Sequence, residues 1–174
     1  MLSKDELISL VNEDTEAFNE EIKNSQGADL SEADFSNVNL EGTEFTNIDF
    51  TSSSFADSHL TSVKFDDCDL TSVDFTRATL VECIFTNSLL NGTDFSYSTV
   101  DYGNFSDSDM AGAIFQGADL SNSDFSMSEN LSACRFDEET VWPDNEYLPE
   151  DFDTSYSSDL SSLRDEDDFE TGDY

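Results

Sequence analysis

From Leu30 to Phe125 every fifth residue is large and apolar, and this beat decides what the chain can become. Twenty consecutive positions of the series hold only Leu, Phe, Val or Met, among them Leu30, Phe35, Leu40, Phe45, Val100, Met110 and Phe125. After one extra residue the series resumes at Leu131 and Phe136. Two positions before each large residue stands a small one, such as Ala28, Ala33, Thr43, Ser53, Cys68, Cys83, Gly103 or Ala118. A period of five is neither the 3.6 of a helix nor the 2 of a strand. It predicts a repeat architecture, in which each unit buries its apolar group only by stacking on its neighbours.

The units Ala28-Asp29-Leu30-Ser31-Glu32, Ala33-Asp34-Phe35-Ser36-Asn37 and Ala118-Asp119-Leu120-Ser121-Asn122 resemble the pentapeptide-repeat family. The resemblance implies an all-β fold: a right-handed, four-sided β-helix solenoid with four pentapeptides to a coil. The large residue and the small one two earlier would point inward, and the other three outward. If residues twenty apart stack, Phe35, Phe55, Phe75, Phe95 and Phe115 share one side and Phe45, Phe65, Phe85, Phe105 and Phe125 the opposite one. The expected layout is a helical cap over residues 1–27, the β-helix over 28–137, and a capping segment with an acidic tail over 138–174.

The cap is expected to open with a capping box at Ser3 and Glu6. Leu7, Ile8, Leu10, Val11, Phe18 and Ile22 would form its apolar stripe, with a break near Asn12 to Thr15. Such a cap hides the open edge of the first coil, which would otherwise invite edge-to-edge pairing. At the other end Trp142 is expected to fold over the core. Acids alternating with Tyr147, Leu148, Phe152, Tyr156 and Phe169 suggest a chain too polar to pack from about Asn145 onward.

Charge narrows the function. The chain has 41 acidic and 6 basic residues, a formal −35, so it is expected to avoid direct contact with nucleic acid or anionic membrane and to attract basic surfaces. Residues 28–137 alone hold 20 acids and 3 bases, a net −17. Spread along roughly 26 Å of rod, that is about one charge per 1.5 Å, beside about 1.7 Å per charge in duplex DNA. No basic-then-apolar leader or long apolar run is visible in the sequence, and a cytoplasmic protein is expected. Cys68, Cys83 and Cys134 fall on the small inward position and are read as core residues. His59 stands alone on an outward position. No phosphate loop, zinc-spaced set or nucleophile elbow appears, so neither an enzyme, a cofactor nor a metal is expected.

Two readings of different class remain. In the first, the rod is a DNA-mimicking decoy for a basic, DNA-binding protein surface. The resemblance implies type II topoisomerases such as gyrase as the leading target, and restriction or defence nucleases fit the charge equally. Asp34, Asp74 and Asp94 are the candidate contacts, along one side. In the second, the chain is an interaction scaffold, binding through its acid–aromatic tail or through an outward apolar group of Val81, Ile84, Leu89, Tyr97 and Tyr102. Arg77 is expected beneath Tyr97 as a cation–π pair. A homodimer is compatible with either reading, although no apolar dimerising helix is evident. The outward position predicts that Asp74→Ala costs under about 0.5 kcal/mol. Phe75→Ala should cost about 3–5 kcal/mol.

Overall fold

A computed structural model describes residues 2–155. Two helices come first, α1 (Lys4–Glu13) and α2 (Thr15–Lys23). Six short strands follow: β1 (Asn39–Glu41), β2 (Glu44–Thr46), β3 (His59–Thr61), β4 (Lys64–Asp66), β5 (Thr79–Val81) and β6 (Thr99–Asp101). All strand pairing is parallel and in register at a separation of twenty, as in Leu40 with Leu60 and Phe45 with Phe65. Isolated bridges carry the same register along the coils as far as Asp109 with Glu129, and the last two, Ile114 with Arg135 and Asp119 with Val141, are 21 and 22 residues apart. The result is a four-sided parallel β-solenoid, and its sides are named below by their first inward residue: Leu30, Phe35, Leu40 and Phe45.

Each side turns into the next at a corner residue with positive φ. Asn37, Asn47, Ser52, Asp67 and Gly42 all sit there at φ between 52° and 62°. That conformation suits Gly, Asn and Asp, whose backbones reach it at little penalty. The small residue that follows tucks inward. At several coils a polar one finds a carbonyl: Thr93 Oγ1 donates to the Leu70 carbonyl at 2.7 Å and Ser123 Oγ to that of Val100 at 2.9 Å. A buried hydroxyl is therefore tolerated.

Two ladders of stacked phenylalanines fill the axis. On the Phe35 side the ring centroids step by 5.0, 5.3, 5.1 and 5.3 Å from Phe35 to Phe115. On the Phe45 side they step by 5.0, 5.2, 4.9 and 4.4 Å from Phe45 to Phe125. Between ladders the rings meet edge to face, as in Phe75–Phe85 at 84°. Both geometries are favourable for aromatic quadrupoles and add to the hydrophobic term.

Helices α1 and α2 close the top. Ser3 and Glu6 form the expected capping box. The apolar stripe is divided at Asp14, which ends α1 and caps α2 by accepting the Ala17 N–H at 3.0 Å. Phe18 reaches down to Phe35 and Phe45.

The bottom differs from the expected ending at Phe136. The coil continues at six-residue spacing: Leu120 N–H donates to the Val141 carbonyl and Phe125 N–H to that of Tyr147. Trp142 thus lies below Leu120, and Leu148, itself buried, continues the Phe45 side. Trp142 packs on Phe115, Phe125, Phe136 and Phe152. The expectation of an unpacked chain from about Asn145 is corrected for residues 145–152. Leu148 and Phe152 supply apolar surface to the cap, which offsets the entropy of ordering them. The rest of the acid–aromatic tail, from Tyr156, lies outside the described residues.

Candidate partner-binding surface

The aspartate before each large residue faces out, yet its carboxylate is not simply solvated. Asp29, Asp34, Asp49, Asp69, Asp74, Asp94, Asp109, Asp119 and Asp124 each accept the backbone N–H two residues on, at 2.8–3.1 Å. This is the Asx-turn bond, and it steers the chain toward the next corner. The expectation that Asp74→Ala is nearly neutral is corrected accordingly. Asp74 faces water but holds the Thr76 N–H at 2.8 Å.

At three of these positions the hydrogen bonds also tune the acid. Hydrogen bonds from the Ser36 hydroxyl and N–H hold Asp34 below the ordinary carboxylate value, and those from Ser31 do the same for Asp29. At Asp109 burial pushes the other way, but donors from Asn130, Asn91 and the Ala111 N–H leave it lowered. Asp57 is lowered by the Arg77 guanidinium and Asp66 by the side chains of Asn87 and Thr86.

The twenty-residue register sorts the acids into columns. Asp34, Asp74 and Asp94 do share the Phe35 side, in the order Asp34, Ser54, Asp74, Asp94, Ile114, Arg135. The Leu30 side carries a longer acidic series that the sequence reading did not single out: Asp29, Asp49, Asp69, Leu89, Asp109, Glu129. No base interrupts it, although Lys4 of α1 reaches Asp29 at its top, 3.7 Å away. Reading the Asp slot at steps of twenty would have revealed this column. A groove of about 500 Å³ runs beside it, lined by Asp29, Asp49, Asp67, Asp69 and Leu89 among others.

The apolar group does not converge. Val81 lies on the Leu40 side, Ile84 on the Phe45 side and Leu89 on the Leu30 side. Tyr97 and Tyr102 occupy the two corners that flank β6. The expected Arg77–Tyr97 pair is also corrected. Arg77 turns toward the preceding coil and binds Asp57 with two bonds of 2.7 Å. Tyr97 instead lies over Gly117, where an added Cβ would come within 2.7 Å of the ring. A bidentate carboxylate is the stronger partner for a guanidinium.

Cys68, Cys83 and Cys134 are buried, and burial pushes their thiols up to about 11, about 12 and about 12. Among the described residues no group of three His, Cys, Asp or Glu could hold a metal ion. No described helix is long and apolar enough to cross a membrane.

Comparison with known proteins adds the family. A search of curated proteins returned no match. One matching solved structure is a pentapeptide repeat protein of the Arabidopsis thaliana thylakoid lumen. It is 25% identical, with a TM-score of 0.44, over 60% of this chain and 69% of that one. Another is QnrB1, a plasmid-mediated fluoroquinolone resistance protein. It is 26% identical, with a TM-score of 0.45, over 63% of this chain and 58% of its own. A third, HetL of Nostoc sp. strain PCC 7120, involved in heterocyst differentiation regulation, is 15% identical with a TM-score of 0.35, over 64% of this chain and 69% of its own. The family model for the pentapeptide repeat region matches residues 58–138, and that for eight copies of the repeat matches residues 28–67. Together these matches span the coils described above, and the chain belongs to the pentapeptide-repeat family.

Proposed function

We propose that this chain is a non-enzymatic binding protein whose acidic rod imitates duplex DNA and occupies the nucleic-acid site of a basic, DNA-handling protein in the cytoplasm. The acid column of the Leu30 side carries this reading. Five carboxylates lie over about 24 Å, taking roughly 4.8 Å per strand. One strand of B-DNA presents about seven phosphates over that length. The column therefore offers a large share of one strand's charge. Asx-turn bonds hold four of the five acids, Asp29, Asp49, Asp69 and Asp109, in place before any partner arrives. Preorganised groups lose less side-chain entropy on association. A type II topoisomerase is the first target to try, followed by restriction or defence nucleases.

The test is displacement from duplex DNA. Purified gyrase bound to a labelled DNA fragment should be released by this protein, and less so as salt rises. Changing Asp49, Asp69 and Asp109 to Asn one after another should weaken the displacement progressively while preserving the turns. Polyglutamate of equal charge is the control. If polyglutamate displaces gyrase and several nucleases as well as the protein does, the rod contributes nothing beyond bulk charge and the reading fails.

A further inference from the structure

Tyr102 stands at a corner with φ +54°. Other coils fill that corner with Gly42, Ser62 and Glu82. A bulky residue in the left-handed region is strained. The residue is 63% exposed, so burial does not account for it either. Tyr97 has a local explanation in its contact with Gly117. No non-adjacent glycine among the described residues lies against Tyr102 in that way.

The capping coil supplies a second ring. Tyr147, 44% exposed, returns below Asp124 and lines the same groove of about 340 Å³ as Tyr102. Asn104, Asn122, Asp124 and Asp144 form much of the remaining wall. Asn122 spends its amide N–H on Asp101 at 2.8 Å, which leaves its oxygen for an incoming donor. Asp124 engages Ser126 through one carboxylate oxygen, and Asp144 makes no side-chain cap bond. The groove thus has two aromatic rings, two carboxylates and, among the described residues, no cation.

We propose that this groove binds the guanidinium of an arginine side chain from a basic protein partner. A guanidinium is flat, stacks on tyrosine faces and donates in a fixed fork to carboxylates. An ammonium ion is more strongly hydrated and donates from a single point. The formal −35 of the chain favours cationic partners at the opening. This groove is separate from the Leu30 side, so its failure leaves the decoy reading untouched.

Calorimetric titration of the full chain with the peptides Ac-GRGRG-NH2, Ac-GKGKG-NH2 and the citrulline analogue tests the proposal. The arginine peptide should bind at least about fivefold more tightly than either other peptide. Tyr102→Phe should stay within about twofold of the parent, and Tyr102→Asn should weaken binding about fivefold. Asn prefers the left-handed region, so that variant should fold at least as well, which its melting temperature will report. Both variants preserve the net charge. Equal binding of the lysine peptide would overturn the guanidinium assignment, and unchanged binding by Tyr102→Asn would overturn the site.

Discussion

Asp74 and Phe75 are neighbours in sequence with opposite duties, and three substitutions separate them. Phe75 is fully buried, stacked between Phe55 at 5.3 Å and Phe95 at 5.1 Å, with Phe65 and Phe85 edge-on. Phe75→Ala opens a cavity in a ladder whose neighbours are fixed by their own stacking, so collapse is hindered. The loss should lie near the top of the usual range, about 5 kcal/mol. Asp74→Ala removes the acceptor of the Thr76 N–H, a bond of the kind lost when a helix N-cap is deleted, and should cost about 1 kcal/mol. Asp74→Asn retains an oxygen in the same place and removes one charge from a strongly anionic rod. It should be neutral or slightly stabilising. Urea melts followed by circular dichroism, with midpoints and m-values compared, would give all three. If Asp74→Ala and Asp74→Asn lose stability equally, the carboxylate acts through its charge and the turn argument is wrong.

Acid should act in two opposed ways. Lowering the pH from neutrality relieves self-repulsion and should first raise the melting temperature. Asp29, Asp34, Asp57, Asp66 and Asp109 have folded values below the ordinary 3.8, so the stability they contribute is present above 3.8 and lost as the pH falls through those lowered values. A melting temperature that keeps rising down to pH 2 would contradict this. Ser53 Oγ is buried without a hydrogen-bond partner among the described residues, while Ala33 and Ala113 fill the equivalent place in other coils. Ser53→Ala should therefore stabilise by about 1 kcal/mol in the same urea assay. The three thiols should resist a thiol reagent such as DTNB at pH 8 until urea unfolds the chain, since burial disfavours each thiolate.

The coil body was legible because one residue in five has no alternative to burial, and the period forces residues twenty apart into register. The lower end was not, because its spacing changes from five to six. Thr140 there turns its hydroxyl to the Phe115 carbonyl at 2.8 Å, and Asp137 accepts the Gly117 N–H at 2.9 Å. The extra residues are absorbed by side-chain bonds between distant parts of the chain, which no local period records. The partner of Arg77 was missed for a related reason. Asp57 and Tyr97 are equally twenty residues away, and only bond geometry selects the carboxylate. Of the candidate contacts, Asp34, Asp74 and Asp94 were grouped correctly on one side, yet the longer Leu30-side column went unseen. Its members share no local mark, and only the twenty-residue step brings them together.

The phenylalanine ladders have a consequence for how the chain finds its fold. Phe75, Phe85 and Phe95 sit in nearly identical surroundings, so in this stretch a segment displaced by one whole coil would meet almost the same rings at almost the same distances. The interior thus cannot count. Absolute position along the rod is set at the two ends, where Phe18 meets Phe35 and Phe45 and where Trp142 meets Phe115 and Phe125. Assembly that starts from the helical end and adds one coil at a time avoids the misaligned alternatives. Chains that begin stacking in the middle must unstack before either end can close.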